Sequence, residues 1–336
     1  MTSSASQPPW TQADWLERAV AWISAELARL DIAAAGDIEQ PHVRPWSTVL
    51  RVPTADGAVY FKACTPLLAY EPALVEMLYR AHPDQIPRVL ATDPEQGWML
   101  MVDGGTRLRE VIRADRDLNH WERLLPRYAE MQIDLAGRTE QLLALGAPDR
   151  RPAALARLAG QLLENPDVLL VGKSDGMSPE TYRKLRGLTP AIADQCRQLA
   201  DCGVPPSLNH GDLHDANIFI DGDDYLLFDW GDSSVSHPFF SLRTAFVSVE
   251  ISLQLAEGAP EFDRLRDAYL EPWTRFLPAA ALRSTFALAS RLSPLCSALS
   301  WHHAISAVDR SLVTEYAGAI PGLFQEYLDL QASAAA

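Results

Sequence analysis

The 336-residue chain lacks several features that would assign it to a membrane or secreted class. No uninterrupted apolar run reaches the roughly 18 residues that a membrane-spanning helix needs. The first ten residues have neither a basic start nor an apolar segment, so they do not resemble a secretory signal. The four cysteines form no CxxC pair. We therefore expect reduced, mostly buried thiols in a cytoplasmic protein.

Positive charge is also scarce. The chain has 29 lysines and arginines against 44 aspartates and glutamates, which gives a formal net charge of −15. Such a surface neither replaces the counterions of nucleic acid nor docks on an anionic membrane, so we expect neither as a partner. Only three lysines occur, at positions 62, 173 and 184.

Hydrophobic periodicity predicts two parts of unequal size. Residues 1–9 are expected to form a disordered tail, and residues 14–30 have the apolar spacing of an amphipathic helix. The β-rich residues 42–63 follow, with the Asp56-Gly57 turn signal of a hairpin between two strands. Asp103-Gly-Gly105 is a flexible break and a candidate boundary. These features predict a small, mainly antiparallel β lobe over residues 10–103.

Beyond this break the sequence is mainly helical, which predicts a larger lobe over residues 104–336 and an α+β fold. Helices are predicted over residues 119–145, 153–163, 179–202, 238–256, 261–276, 279–301 and 308–330. One β-like segment, residues 207–230, interrupts them. It contains a second predicted hairpin around Asp221-Gly-Asp-Asp224.

The β-like segment carries a long polar motif. It reads His210-Gly-Asp-Leu-His-Asp-Ala-Asn217, followed after a hydrophobic strand by Asp229-Trp-Gly231. This pattern resembles the catalytic signature of the aminoglycoside phosphotransferase and choline kinase group, small-molecule kinases with a protein-kinase-like fold. The resemblance implies a two-lobed structure, with a nucleotide-binding lobe at residues 10–103 and a catalytic and substrate-binding lobe at residues 104–336.

The resemblance assigns roles to three residues of the motif. Asp212 is the expected catalytic residue, which accepts a hydrogen bond from a substrate hydroxyl and directs it at the γ-phosphate. Asn217 and Asp229 are the expected Mg²⁺ ligands, because Mg²⁺ prefers oxygen donors. The turn at residues 221–224 is predicted to bring these two ligands to the same end of the hairpin. Phosphoryl transfer depends mainly on such positioning and on charge compensation.

The two histidines of the motif, His210 and His214, admit two interpretations. They form an i, i+4 pair that metal sites also use, or their imidazoles hold the catalytic loop in shape through hydrogen bonds. We favour the second interpretation because the segment has no HExxH motif and is not helical.

The resemblance also implies a nucleotide site in the first lobe. Lys62, on the second strand of the first hairpin, resembles the lysine that neutralises nucleotide phosphates in this family. Glu71 and Glu76 both qualify as its carboxylate partner, and Glu71 is preferred because residues 71–78 match the start of the family's helix. The alternative is that Glu71 only complements the helix dipole.

Two further segments are candidates for nucleotide contacts. Ser47 and Thr48 lie in the predicted turn at residues 44–49 and offer hydroxyl and backbone N–H donors, although this turn has no GxGxxG motif. A structural role for both is the alternative. Met101, in Met99-Leu-Met-Val102, resembles the hinge segment that meets adenine, which is compatible with a plain core strand.

Several observations bear on the acceptor. Only residues 231–237 separate the Asp-Trp-Gly motif from the next helix-like segment, which leaves no room for a peptide-docking activation segment and favours a small molecule. Ser241 stands where the family has an aspartate that braces the catalytic loop, and Asp232 is a candidate substitute. Six acidic residues are candidates for binding a cationic acceptor, or form a solvated helix surface: Glu250, Glu257, Glu261, Asp263, Asp267 and Glu271.

Three functions remain open from the sequence. The first is an ATP- or GTP-dependent and Mg²⁺-dependent kinase of an aminoglycoside-type antibiotic. The second is a metabolic kinase for choline, ethanolamine, homoserine or a sugar. The third is a non-catalytic scaffold with a kinase-like fold. A binding module has no need for the complete set of candidate functional residues, which argues against the third: Lys62, Asp212, Asn217 and Asp229.

Overall fold

The computed structural model of the chain describes residues 7–306 and 308–335. Its strands are β1 Glu39–Val43, β2 Ser47–Thr54, β3 Gly57–Cys64, β4 Val89–Asp93, β5 Trp98–Val102, β6 Thr106–Arg107, β7 Asp149–Arg150, β8 Ser207–Asn209, β9 Ile218–Asp221, β10 Asp224–Leu227 and β11 Ser234–Ser236. Its α-helices are α1 Trp15–Arg29, α2 Glu71–Ala81, α3 Leu108–Asp115, α4 Asn119–Ala136, α5 Thr139–Ala144, α6 Pro152–Leu163, α7 Pro179–Gly187, α8 Thr189–Ala200, α9 Leu242–Leu253, α10 Pro260–Leu270, α11 Ala279–Ser306 and α12 Ala319–Ala335.

The chain divides into two units that are not continuous in sequence. The first unit comprises the residues up to Arg107 together with Asn217–Gly231 and His303–Thr314. The second comprises Leu108–Ala216, Asp232–His302 and the residues from Glu315 onward. This division differs from the predicted boundary at residues 103 and 104. The reason is that β6 pairs with β9, which ties the second hairpin to the first unit.

The first unit is built on a five-stranded antiparallel sheet with the order β1-β2-β3-β5-β4. The predicted Asp-Gly hairpin is confirmed, because β2 and β3 pair from Thr54 and Gly57 outward. Helix α1 covers the sheet with an aromatic cluster, in which the ring of Trp22 lies 5.7 Å from the rings of both Phe61 and Trp98. Trp15 is buried in the same core, so the helix is held by apolar burial.

A smaller sheet of the same unit, with the order β10-β9-β6, contains the second predicted hairpin. Gly104 precedes β6 at a point where the chain passes very close to an aromatic ring. A Cβ atom at Gly104 would lie 2.1 Å from the ring of Phe219, so only glycine fits there. Phe219 in turn stacks on Phe228 with 4.1 Å between ring centroids.

The second unit is mainly helical, around a three-stranded sheet with the order β7-β11-β8. Strand β8 leads into the polar motif, and β11 pairs antiparallel with β8 and parallel with β7. The largest fully buried side chains of this unit are aromatic, and they include Trp121, Tyr128, Phe239, Tyr269 and Trp273. An antiparallel β unit and a mainly helical unit confirm the predicted α+β class.

Several predicted bounds were wrong for local reasons. The turn predicted at residues 44–49 is shorter than expected, because β2 already begins at Ser47 and only residues 44–46 separate it from β1. The predicted helix at residues 261–276 stops at Leu270, because Pro272 opens a 3₁₀ helix. The predicted helix at residues 308–330 begins only at Ala319, after two short 3₁₀ helices.

Three remaining predictions concern the tail, the cysteines and membrane segments. Residues 1–6 of the expected tail lie outside the described residues, whereas Pro9 begins the 3₁₀ helix Pro9–Thr11. All four cysteines are free thiols, and three of them are buried, as expected. Among residues 7–306 and 308–335, no helix has the length and apolar character required to cross a bilayer.

Candidate active site

The second hairpin brings the two predicted metal ligands to the same end. Strands β9 and β10 pair in register from Asp221 and Asp224 at the turn to Ile218 and Leu227 at the open end. Beyond this last pair, the N–H of Phe228 donates to the carbonyl of Asn217 at 3.1 Å. Asn217 and Asp229 therefore leave the hairpin together, as the turn spacing predicts.

Asp229 adopts a backbone conformation that few residues tolerate. Its φ is +64°, in the left-handed region, which aspartate visits more readily than most non-glycine residues. The residues after it are held firmly: the Trp230 indole N–H donates to the carbonyl of Leu227 at 3.2 Å, and the Tyr70 hydroxyl donates to the carbonyl of Gly231 at 2.6 Å. These bonds hold the strained turn and leave the Asp229 side chain about half exposed.

Lys62 joins two carboxylates of the first unit. Its Nζ lies 2.7 Å from Oε1 of Glu71 and 2.6 Å from Oδ1 of Asp229. Burial alone would lower the pKa of Lys62, but the charges of Asp229 and Glu71 outweigh it and raise that pKa well above its ordinary value. The ammonium group is therefore charged at any physiological pH. A rigid strand thus presents a permanent cation beside the predicted metal ligand Asp229.

The ion pair identifies which of the two candidate glutamates is the partner. Glu71 is fully buried and contacts Lys62, which confirms the preferred pairing. Glu76 instead pairs with Arg80 and accepts a hydrogen bond from Thr92 Oγ1 at 2.9 Å. The participation of Lys62 and Glu71 in nucleotide binding stays a prediction.

Cys64, which the motif analysis did not single out, also contacts Glu71. Its Sγ donates to Oε2 of Glu71 at 3.0 Å, so the thiol and the Lys62 ammonium bind the two different oxygens of one carboxylate. Burial, followed by the Glu71 charge, raises the pKa of the Cys64 thiol, which keeps its proton available for this bond. Cys64 lies two positions after Lys62 on β3, so its side chain is on the same face of the strand.

The other nucleotide-contact candidates lie at the start of β2 and in β5. Thr48 is fully buried: its hydroxyl donates to the carbonyl of His42 at 2.8 Å and accepts from Nε2 of Gln40 at 2.9 Å. This geometry supports the structural alternative for Thr48. Ser47 is buried at the first position of β2, and Met101 is half-buried in β5 opposite Tyr60. For both of these, a nucleotide contact stays a prediction.

In the second unit, the loop that carries Asp212 bends at a glycine. Gly211 has φ +83°, and a Cβ atom there would lie 2.2 Å from the carbonyl oxygen of Asp232. The N–H of Asp212 donates to Nδ1 of His210 at 3.3 Å. The Asp212 side chain is partly exposed, and its Oδ2 lies 3.3 Å from Nε2 of His214. Both histidines therefore hold the loop in shape, which confirms the preferred interpretation.

The negative charge of Asp212 shifts the pKa of His214. Burial would lower the pKa of His214, but the hydrogen bond and the charge of Asp212 outweigh burial and raise that pKa above its ordinary value.

Within the described ranges, no group of three or more His, Cys, Asp or Glu side chains could hold a metal ion. A magnesium ion that is also bound by phosphate and water does not require such a group. The amide of Asn217 and the carboxylate of Asp229, at the same end of one hairpin, are donors of the right chemistry.

A second acidic residue of the loop is structural. Asp215 is fully buried, and its two oxygens accept from Nε of Arg109 at 2.6 Å and from the hydroxyl of Ser252. Its own N–H donates to Oγ of Ser248 at 3.1 Å. Helices α3 and α9 thereby fix the end of the loop. Arg109 has no local sequence signal for this role, because 106 positions separate it from Asp215.

Comparison with protein families assigns the chain. Residues 23–281 match the model of the phosphotransferase enzyme family, which is most of the chain. The chain belongs to the phosphotransferase enzyme family. This phosphotransferase is accordingly a small-molecule kinase with an alcohol group as acceptor. No curated protein matches this phosphotransferase closely.

Solved structures establish the fold of this phosphotransferase. A choline kinase from Streptococcus pneumoniae, LicA, superposes with a TM-score of 0.59 at 13% identity, over 94% of this chain and 99% of that one. A choline/ethanolamine kinase family protein from Mesorhizobium loti gives 0.57 at 15% identity, over 93% and 98%. A macrolide 2'-phosphotransferase type I gives 0.53 at 13% identity, over 90% and 96%. The kinase-like fold is therefore confirmed.

A bracing role of Asp232 for the loop stays a prediction. Two other groups contact the loop backbone, because the N–H groups of His210 and Gly211 donate to the Tyr128 hydroxyl and the Asn209 amide oxygen, each at 3.1 Å. Ser241 itself is buried and bonded to both of these groups. Tyr128 has no sequence signal of its own, because it lies 82 positions before His210.

Proposed function

We propose that this phosphotransferase moves the γ-phosphate of ATP or GTP, in the presence of Mg²⁺, to a hydroxyl group of a small molecule. The observation that carries the proposal is the arrangement in the first unit. Asn217 and Asp229 leave one hairpin at the same end, and Lys62 is bonded to both Asp229 and Glu71. A non-catalytic scaffold has no use for a permanent cation beside two metal-type oxygen donors.

Each residue of the proposed mechanism has a distinct task. Lys62, held by Glu71, binds phosphate oxygens and compensates their negative charge. Asn217 and Asp229 would hold Mg²⁺, which would supply further charge compensation on the phosphates. Asp212 accepts the hydrogen bond of the acceptor hydroxyl, orients its oxygen and takes up its proton. The bond from the γ-phosphorus to the β,γ-bridging oxygen breaks as the new bond to the acceptor oxygen forms.

His214 has a supporting task in this proposal. Its Nε2–H is bonded to Oδ2 of Asp212, which fixes the orientation of that carboxylate. The other carboxylate oxygen of Asp212 then receives the acceptor hydroxyl. The hydrogen bond and the charge of Asp212 outweigh burial and raise the pKa of His214, which favours the protonated imidazole that donates through Nε2.

Two of the six acidic candidates for binding a cationic acceptor are already paired with arginines. Asp267 bonds the guanidinium groups of Arg266 and Arg283, and these arginines lower its pKa to about 2. Asp263 pairs with Arg266 as well. Asp267, which bonds two arginines, is therefore a weaker candidate for binding a cationic acceptor, whereas Asp263 shares its single arginine with Asp267. The aminoglycoside-type acceptor and the metabolic alcohols remain alternative substrates for the same chemistry.

The test is nucleoside-diphosphate release with Mg²⁺ and ATP or GTP, against a panel of aminoglycosides, macrolides, choline, ethanolamine, homoserine and sugars. Asp212→Asn should lower the acceptor-stimulated rate by about 10²- to 10⁴-fold and leave nucleotide affinity unchanged. Asp201→Asn, an exposed aspartate of the same unit, is the matched control and should keep the wild-type rate. Wild-type turnover in Asp212→Asn would contradict the catalytic assignment. Absence of nucleotide binding by the wild-type protein would favour a scaffold.

A further inference from the structure

The loop that carries Asp212 is fixed by a chain of neutral side chains. The Tyr128 hydroxyl and the Ser241 hydroxyl lie 2.8 Å apart. The Ser241 hydroxyl donates to Oδ1 of Asn209 at 2.7 Å. Tyr128 comes from α4, Ser241 from the 3₁₀ helix Pro238–Ser241 and Asn209 from β8. Three separate elements therefore meet directly beneath the loop.

The direction of each hydrogen bond in this relay follows from its neighbours. The Tyr128 oxygen accepts from the N–H of His210 at 3.1 Å, so the hydrogen of its own hydroxyl is left for Ser241. Ser241 passes its hydrogen to Asn209 Oδ1, which also accepts from the N–H of Gly211 at 3.1 Å. The relay therefore ends on the backbone of the two residues that precede Asp212.

The relay is sealed from solvent and supported from behind. Tyr128, Asn209 and Ser241 are each no more than 3% exposed. Gln132 donates through Nε2 to the carbonyl of Leu208 at 2.8 Å, and its Oε1 accepts from the Tyr269 hydroxyl at 2.5 Å. Removing one member of the relay leaves a buried N–H or oxygen without a partner. Such an unpaired buried polar group lowers the stability of the structure around it.

We propose that Tyr128 and Ser241 are positioning residues, which fix the backbone of the Asp212 loop by an uncharged hydrogen-bond relay. The proposal rests on the proposed function for its effect on rate, whereas its effect on the loop backbone is independent of activity. Burial raises the pKa of Tyr128, so the hydroxyl keeps its proton at every working pH. The relay therefore holds the loop without adding a charged group beneath it.

The test compares Tyr128→Phe with Tyr327→Phe. Tyr327 is also a buried tyrosine of the second unit, and its hydroxyl donates to Gln195 rather than to the loop. In Tyr128→Phe, hydrogen exchange at the amide of His210 should speed up by at least tenfold, because this amide loses its acceptor. The kcat should fall about 10- to 100-fold with the nucleotide KM within twofold, because a loop shifted by a fraction of an ångström misplaces Asp212. Tyr327→Phe should change neither quantity.

Ser241→Ala is the second variant, and it keeps the proposal testable if Tyr128→Phe does not fold. It should also speed up exchange at the amides of His210 and Gly211, because their acceptors, the Tyr128 hydroxyl and Asn209 Oδ1, lose the Ser241 hydroxyl that links them. The double variant should lose less protection than the sum of the two single losses, because both substitutions interrupt one relay. Unchanged exchange at both amides in both folded variants would overturn the proposal, as would an equal fall of kcat in Tyr327→Phe. Faster exchange in a protein without any transferase activity would uphold the relay and reject the proposed function instead.

Discussion

The buried carboxylate of Glu71 allows a direct test of how the Lys62 cation is held. Glu71→Gln keeps the size of the side chain, and its amide oxygen can still accept from Lys62. Its amide nitrogen is a donor, so the bond to Cys64 reverses, with sulfur as a weak acceptor. The substitution therefore removes the negative charge and changes one weak hydrogen bond. Because Glu71 is fully buried and only 10% of the Lys62 side chain is exposed, solvent screens this charge weakly.

The expected magnitude follows from the surroundings of Lys62. Removing one partner of a buried ion pair typically costs about 3–5 kcal/mol. Asp229 Oδ1 remains 2.6 Å from the ammonium group and is itself half exposed, so part of the compensation survives. We expect the free energy of unfolding to fall by about 2–3 kcal/mol. This is the order of magnitude that equilibrium unfolding in urea resolves.

Glu76→Gln is the matched control on the same helix. Glu76 forms an exposed i, i+4 pair with Arg80, and such pairs contribute about 0.3–0.5 kcal/mol. A loss in Glu76→Gln that equals the loss in Glu71→Gln would refute the reasoning, because the two glutamates differ chiefly in burial and partner. The pH dependence gives a second check. The pKa of Lys62 is raised by folding, so its stabilising contribution is complete below the unfolded value of about 10.4 and disappears at higher pH.

Two further predictions concern the second unit. Gly211→Ala should destabilise the protein by about 2–4 kcal/mol, since its Cβ would lie 2.2 Å from the carbonyl of Asp232 at a φ of +83°. Gly258→Ala, at φ +72° with no atom near its Cβ, should lose only about 1 kcal/mol in the same urea titration; equal losses would contradict the steric explanation. Burial lowers the pKa of His237 to about 3, so the unfolded state binds more protons between pH 6.5 and pH 3, and stability falls as the pH falls through this window. His237→Asn should therefore reduce the loss of unfolding free energy between pH 7 and pH 5 by about 2 kcal/mol, and an unchanged pH slope would show that His237 is not the titrating group.

The sequence predicted those parts of the site that short segments determine. The pairing of Lys62 with Glu71 spans nine positions and follows from a strand and the helix after it. The approach of Asn217 to Asp229 follows from one hairpin with a four-residue turn. In both cases the local spacing leaves few arrangements open, so the pattern decides the geometry.

The parts that the sequence did not reveal depend on contacts between distant segments. Arg109 meets Asp215 across 106 positions, and Tyr128 meets His210 across 82. Neither residue stands out locally, because arginine and tyrosine are ordinary on amphipathic helices. The two-residue strand β7 has no periodicity at all, and it becomes visible only through its pairing with β11.

The charges around the Asp212 loop explain why the side chains that bind its backbone are neutral. The loop already carries the carboxylates of Asp212 and Asp215, which His214 and Arg109 respectively balance. A carboxylate at position 241 would add a further negative charge in a buried region of low dielectric, where it would repel the Asp212 carboxylate. Hydroxyl and amide oxygens accept hydrogen bonds from the same backbone N–H groups without adding a negative charge. In a chain with a net charge of −15, a neutral relay holds the loop backbone without adding a third carboxylate to those of Asp212 and Asp215.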